Sequence, residues 1–342
     1  MATCKLGCAA NYEVSITYRG GSQPLGVFEP EVVVWGRVQD DFSEARIDLP
    51  ASCCGKLEQV RSWSHEVHIA RDGEEVWCGP VVVPSNCRSG NVIIARDMLW
   101  WEARRVIHED HVSAAQGAVS IARDLIVDGF APDDPNVLAY LDTAGVGVIS
   151  DREYLANSKY VLDALKDLAK GGIDFTAIGR RIVVRPQGTS LGRTAILNCE
   201  HFQGDVCASD NGLQAATKAI ITGEGVTGEA GGVDPYFGLV EVLHNDTTIT
   251  SASTAADQAR AIVAAGNPPP LLVQPPDNAA LSPDSPVCMS ELVPGVTVPV
   301  VLDCVCRPVA QDLRLSKLTV RWDSTGEQVG VLLQPVMAEV SE

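Results

Sequence analysis

Hydrophobic and polar positions alternate through the first hundred residues, the period of half-buried strands. Val14, Ile16 and Tyr18 alternate with Ser15 and Thr17 across Tyr12–Tyr18, and Gly20-Gly21 supplies a turn. Residues 31–38 (EVVVWGRV) form a more continuous apolar run, and 42–49 alternate again before Pro50 closes the segment. A hairpin follows over 66–83, with Arg71-Asp72-Gly73 as its turn, and Val92–Ala95 is a short buried strand. About six short strands with turn signals between them predict a sandwich or small barrel. Asp97 then stands where it can cap a helix beginning near Met98, whose face carries Leu99, Trp100 and Trp101 and whose end is basic at Arg104 and Arg105. Two adjacent tryptophans in a chain with six mark an anchored joint between two units. Trp100 and Trp101 are expected to pack into that seam, with Arg104 and Arg105 pairing with acidic neighbours.

Beyond the joint the period changes to that of helices. Ser113 and Gln116 have capping-box spacing ahead of Ala118, Ile121, Ala122 and Leu125, which share one helical face. Asn157 or Ser158 is placed to cap a second helix carrying Val161, Leu165 and Leu168, stopped by Gly171-Gly172. A hairpin over 173–185 turns at Gly179-Arg180. From about Thr189 strands return, at 219–222, 237–243, 271–274, 296–305 and the hairpin 318–322/329–333, interrupted by a helix over 253–265. Seven prolines in 266–286 predict a stiff, extended connection. The division expected is a β domain at 1–107, a small α+β insert at 108–188 and a second β domain at 189–342, a β-rich α+β fold.

Charge narrows the function. The net charge is −18, and between Cys199 and Asp303 thirteen acidic residues face only Lys218 and Arg260. Such a surface repels phosphate, which argues against a protein that grips a nucleic-acid backbone. The eleven cysteines lack the paired spacing of zinc knuckles, so free and mostly buried thiols are expected. The first residues lack the apolar core of a signal peptide, and no apolar run approaches the ~18 residues of a membrane span.

Motifs for chemistry are weak. Gly223-x-Gly225-x-x-Gly228 is followed by Glu-Ala-Gly-Gly-Val-Asp-Pro, which cannot open the helix a dinucleotide site needs, so a flexible loop is expected. His65 and His68 sit on opposite faces of a strand and cannot share a metal, while His108 and His111 fall in a solvated bend. No nucleophile elbow, phosphate loop or metalloprotease helix is present. No catalytic residue, cofactor or metal is therefore expected.

One pattern carries more. The run V-R-x-W-x-H-E, R-D-G-E-x-V-W-x-G-P and A-R-D-x-x-W-x-x-x-R-x-x-I, continued by S-I-A-R-D-L-I and Tyr160-Val-Leu-Asp-Ala-Leu, resembles minor tail proteins of siphoviruses that infect actinobacteria, a tail or baseplate hub family. It covers most of residues 30–185. The resemblance implies two tube-like β domains joined by a small insert and three copies forming a pseudo-sixfold ring. It further implies a non-enzymatic hub at the virion tail tip, assembled in the host cytoplasm, that closes the tail tube and links it to tip and fibre proteins. Expected partners are other copies in a homotrimer, the distal tail or tail tube protein, the tape measure protein and other minor tail or fibre proteins. DNA would pass through an acidic lumen without specific binding, and no membrane insertion is expected. The sequence ends soon after its last hairpin, so an appended cell-wall hydrolase is not expected. The rival readings are a hexameric distal tail protein, a cell-wall hydrolase and a receptor- or glycan-binding module. That last would need exposed aromatics, whereas Trp35, Trp63, Trp77 and Trp322 sit in or beside strands and read as core.

Overall fold

A computed structural model describes residues 6, 10–21, 23–210, 212–246, 249, 251–269, 271–274 and 279–336. The first unit contributes β1 (Tyr12–Tyr18), β2 (Pro24–Phe28), β3 (Val32–Val38), β4 (Glu44–Leu49), the four-residue α1 (Cys54–Leu57), β5 (His65–Arg71), β6 (Glu74–Cys87) and β7 (Gly90–Arg96). Alternation dictates these strands: in β4 Ala45, Ile47 and Leu49 are buried while Glu44 and Arg46 are exposed. The fourteen-residue β6 serves two neighbours, pairing with β5 through its first half and with β7 through its second, with a register shift between Val81 and Val83. Gly79 stands at that crossing because a Cβ there would lie 1.8 Å from the Arg96 carbonyl oxygen.

The insert holds β8 (His111–Gly117), α2 (Ala118–Phe130), β9 (Leu141–Thr143), β10 (Ile149–Tyr154), α3 (Val161–Ala169), β11 (Ile173–Ile178) and β12 (Arg181–Pro186). Its helices pack on the three-stranded β11-β12-β9 sheet, and with Met98, Leu99, Trp101 and Ile107 they form one core. Two expected caps are corrected. Ser113 lies in β8, paired with β10, because Ala115 adopts φ 51° and gives its N–H to Asp151, so α2 begins only after Gly117. Asn157 has φ 56° and Ser158 donates back to the Leu155 carbonyl, so α3 begins after Tyr160.

The last third adds β13 (Leu197–Asn198), β14 (Phe202–Gln203), β15 (Cys207–Asp210), β16 (Lys218–Thr222), β17 (Thr227–Gly231), β18 (Glu241–Asn245), α4 (Ala252–Gly266), β19 (Leu271–Gln274), β20 (Ala279–Leu281), β21 (Thr297–Leu302), β22 (Val309–Asp323) and β23 (Gly326–Pro335). Residues 223–226 form the turn of a β16–β17 hairpin, and Gly228 lies in β17 paired with Ile221. With β18 and α4 that hairpin forms a small unit with its own core of Ala219, Ile221, Ile249, Ala255 and Ala259. The proline-bearing connection holds β19 against β15 and β20 against β23, while part of it lies outside the described residues.

The two β-rich regions share one sheet of thirteen strands, ordered β14-β20-β23-β22-β3-β4-β7-β6-β5-β1-β2, with β21 and β13 joined through β22. The seam is β3 against β22, where Val320 faces Trp35 and Leu318 faces Arg37. One apolar cluster accordingly runs from Tyr12, Val14 and Trp35 to Leu315, Val320 and Val331.

Cysteine behaviour departs from expectation. Cys199 and Cys304 form a disulfide across 105 residues. Among the other described cysteines only Cys78 is buried, and Cys54, Cys87, Cys207 and Cys306 are exposed. Cys199 opens a 3₁₀ turn directly after β13, and Cys304 lies in a bend after β21. No helix among the described residues is long and apolar enough to cross a membrane.

Candidate functional site

The joint after β7 is built by Asp97, whose carboxylate accepts from Ser43 N and Oγ at 2.5 and 2.6 Å and from Leu99 N at 3.0 Å. Burial raises its pKa to about 7 against those donors. The expected helix is two 3₁₀ turns, Met98–Trp100 and Glu102–Arg104. The tighter winding sends successive tryptophans to different surfaces. Trp100 is half-buried against Phe42, with the Arg96 guanidinium 3.8 Å from its ring centre. Trp101 is 5% exposed and meets Trp63 edge-on at 5.2 Å. Arg105 lies over Trp101 and Phe130 and donates to the carbonyls of Gly129 and Asp133. Its hydrogen bonds thus go to carbonyls, while Glu102, Asp133 and Asp134 favour its charge. Arg104 is exposed and has no ion pair among the described residues.

Behind the tryptophans lies Glu102, fully buried, with both carboxylate oxygens unpartnered. Burial holds its carboxyl well above the ordinary range, Arg105 lowering and Asp128 raising it further. Asp128 also gathers the two histidines expected in a solvated bend. Asp128 Oδ2 accepts from His108 N at 2.6 Å and lies 3.7 and 3.8 Å from the rings of His108 and His111. Residue 111 opens β8, which fixes it against the end of α2.

A second joint was not visible in the sequence. The Gly179-Arg180 turn of the β11–β12 hairpin docks on β6, Gly179 bridging to Trp77. Arg180 reaches Glu66, whose side chain is fully buried, at 2.5 Å, and also donates to the Pro135 carbonyl. Burial works against the guanidinium charge, and the Glu66 carboxylate more than offsets it, so the Arg180 pKa is raised. Glu66, His68 and Cys78 converge closely enough to hold a metal ion. Arg180 already supplies the cation there, 3.9 Å from Cys78 Sγ, and burial pushes that thiol well up, away from the thiolate a metal needs. The residues present therefore do not fit a metal. Thr17 Oγ1, His68 Nε2 and Glu75 Oε2 also run in the order of a hydroxyl–imidazole–carboxylate relay, at 3.1 and 2.7 Å. Thr17 is a buried residue of β1, so these bonds tie β1 to β5 and β6 across the sheet.

Asp174 locks three parts of the chain together. It accepts from Gln39 Nε2 at 2.8 Å, pairs with Arg314 at 2.7 Å and accepts from Gly188 N. Asp40 exchanges two backbone-directed bonds with Phe175 nearby, and burial with the Asp174 charge raises its pKa to about 7. Across the β3–β22 seam, Tyr12 donates to Glu327 at 2.5 Å, Arg71 grips the same carboxylate, and Trp35 donates to Tyr12.

A cleft of about 360 Å³ between the insert hairpin and the last unit is lined by Ile178, Leu191, Val296, Arg181, Arg185 and Arg193. Phe237, which the sequence pattern places at the start of a strand over 237–243, occupies with Tyr236 a turn before β18, and both are exposed.

No protein-family model matches the chain, and neither does any curated protein sequence. Solved structures do match. The 43 kDa tail protein of prophage MuSo2 from Shewanella oneidensis superposes with a TM-score of 0.64 at 14% identity, over 96% of this chain and 100% of that one. The tail protein from Neisseria meningitidis MC58 gives 0.59 at 11%, over 94% and 97%. A type VI secretion component of E. coli, described as similar to the T4 bacteriophage tail proteins gp27 and gp5, gives 0.53 at 10%, over 95% and 77%. The chain has the fold of phage tail proteins, with two β-rich regions around an α+β insert.

Proposed function

We propose that this chain is a structural, non-enzymatic subunit of a phage tail, acting as the hub at the tail tip. Three copies form a ring that closes the tail tube, meets the distal tail or tube protein above and the tape measure and fibre proteins beside it, and lets DNA through. The observation that carries this reading is the end-to-end superposition on a tail protein, which leaves neither chain with a large unmatched region. The acidic balance supports the conduit, because like charge keeps DNA from adhering to the wall. In this reading 1–107 and 189–342 are the tube-like domains and 108–188 the insert, with Trp100, Trp101, Arg104 and Arg105 at their joint. The siphovirus origin suggested by the sequence resemblance belongs to the same proposal. A reconstruction of assembled tails tests it by copy number: three per tail is expected. Six or twelve would overturn the trimeric hub in favour of a distal tail ring.

A further inference from the structure

The turn between β17 and β18 exposes more apolar surface than a free surface in water favours. Tyr236 is 87% exposed, with Val233 at 75% and Leu239 at 51% beside it. The turn is also rigid. Asp234 Oδ1 accepts from Tyr236 N and Phe237 N at 2.8 and 2.9 Å, and Asp234 and Gly238 exchange two backbone bonds at 2.9 Å. Asn267 fixes the other oxygen of Asp234, and the Tyr236 and Phe237 rings meet edge-on at 4.8 Å. An aromatic pair held this way loses little conformational freedom on docking, as interface anchors require.

The surroundings decide the partner. Between Gly212 and Gly266 the acidic residues are Glu224, Glu229, Asp234, Glu241, Asp246 and Asp257, against Lys218 and Arg260. Phosphate-bearing partners, nucleic acid or anionic lipid, are repelled. In a chain of net charge −18 two copies repel as well, unless the contact falls on a surface whose own charges balance. The cleft of about 360 Å³ is such a surface, with apolar walls at Ile178, Leu191 and Val296 and with Arg181, Arg185 and Arg193 set against Asp142 and Glu291. Arg193 binds Asp312 in a two-point pair, and Arg185 and Arg181 share Asp142. Pairing through guanidinium edges leaves the faces free to stack on aromatic rings, and Arg181 and Arg193 are half exposed.

We propose that the Tyr236–Phe237 turn of one copy seats in the arginine-rimmed cleft of a neighbouring copy. Tip and cleft are different surfaces, so the contact is head-to-tail and repeats around a closed ring. The inference rests on the ring-forming reading above and names where its copies touch.

The test places a photoreactive benzoylphenylalanine at position 236 and illuminates assembled tails. A band of twice the chain mass is expected, with crosslinked peptides in 178–196 or 290–296. Arg181→Glu with Arg193→Glu, both at exposed positions, should remove that band and weaken self-association by roughly tenfold. Crosslinks from a proven oligomer that map elsewhere, or to another tail protein, overturn the contact and leave the ring standing. A chain present as single copies in the tail overturns both.

Discussion

Glu102 enters the joint with no donor for either oxygen, while Gly129 packs so close that a Cβ there would lie 2.4 Å from Oε2. A carboxylate in that position is fully buried without a hydrogen bond, so the folded chain holds the proton that the unfolded chain releases. Below the unfolded-state pKa of about 4.3 both states are protonated and Glu102 is neutral to stability. As pH rises through that value the unfolded state alone ionises, so stability falls, by at most a factor of about ten in the folding equilibrium per pH unit, until the raised folded-state pKa is reached. Glutamine mimics the protonated acid at all pH values. Thermal melts of Glu102→Gln and the parent chain should therefore coincide near pH 4 and separate progressively towards pH 8, with the variant more stable. Parallel curves would show that Glu102 is not protonated in the fold.

The insert hairpin, β11 with β12, shows what an element reveals in sequence and what it hides. Its strands and turn were legible because apolar runs flank Gly179, which adopts φ +54°. The destination of Arg180 was not, since its partner Glu66 lies 114 positions earlier in β5. A charge beside Val67 on a strand whose first three residues are all buried was the one available signal. The joint after β7 behaves similarly: Asp97 as a cap and the aromatic pair could be read, but the choice of 3₁₀ over α-helix depends on Phe42 and Trp63, which hold the tryptophans on separate surfaces. For the hairpin the energetic consequence is definite. Arg180→Ala leaves the Glu66 carboxylate buried and unpaired, and should cost about 3–5 kcal/mol by denaturant unfolding. Replacing both residues by methionine should restore a large part of that loss. A single substitution costing under about 1 kcal/mol, as at an exposed pair, would mean that water reaches Glu66.

At the scale of the molecule, local pattern predicts strands but not which strands meet. Alternation in β3 and β22 was readable, whereas their pairing joins positions near 35 to positions near 320 and carries no local signature. That pairing makes one sheet and one core of two regions far apart in sequence. Gly36 permits it, since a Cβ there would come 2.6 Å from the Leu318 carbonyl oxygen. Trp322 donates to the Ala10 carbonyl, and Glu327 holds Tyr12 and Arg71 across the same seam. Separating the halves would bare the Lys317–Trp322 edge, strip Glu327 of its partners and expose Leu318 and Val320, both fully buried. We therefore expect residues 189–342 expressed alone to lack a cooperative unfolding transition, and to regain one when co-expressed with 1–188 as a copurifying pair. The insert has its own core and adds contacts through Asp174, so 1–188 should retain helical signal without the sharp melt of the full chain. A soluble 189–342 fragment with a sharp melt of its own would show instead that the shared sheet is a docking of two independently stable domains.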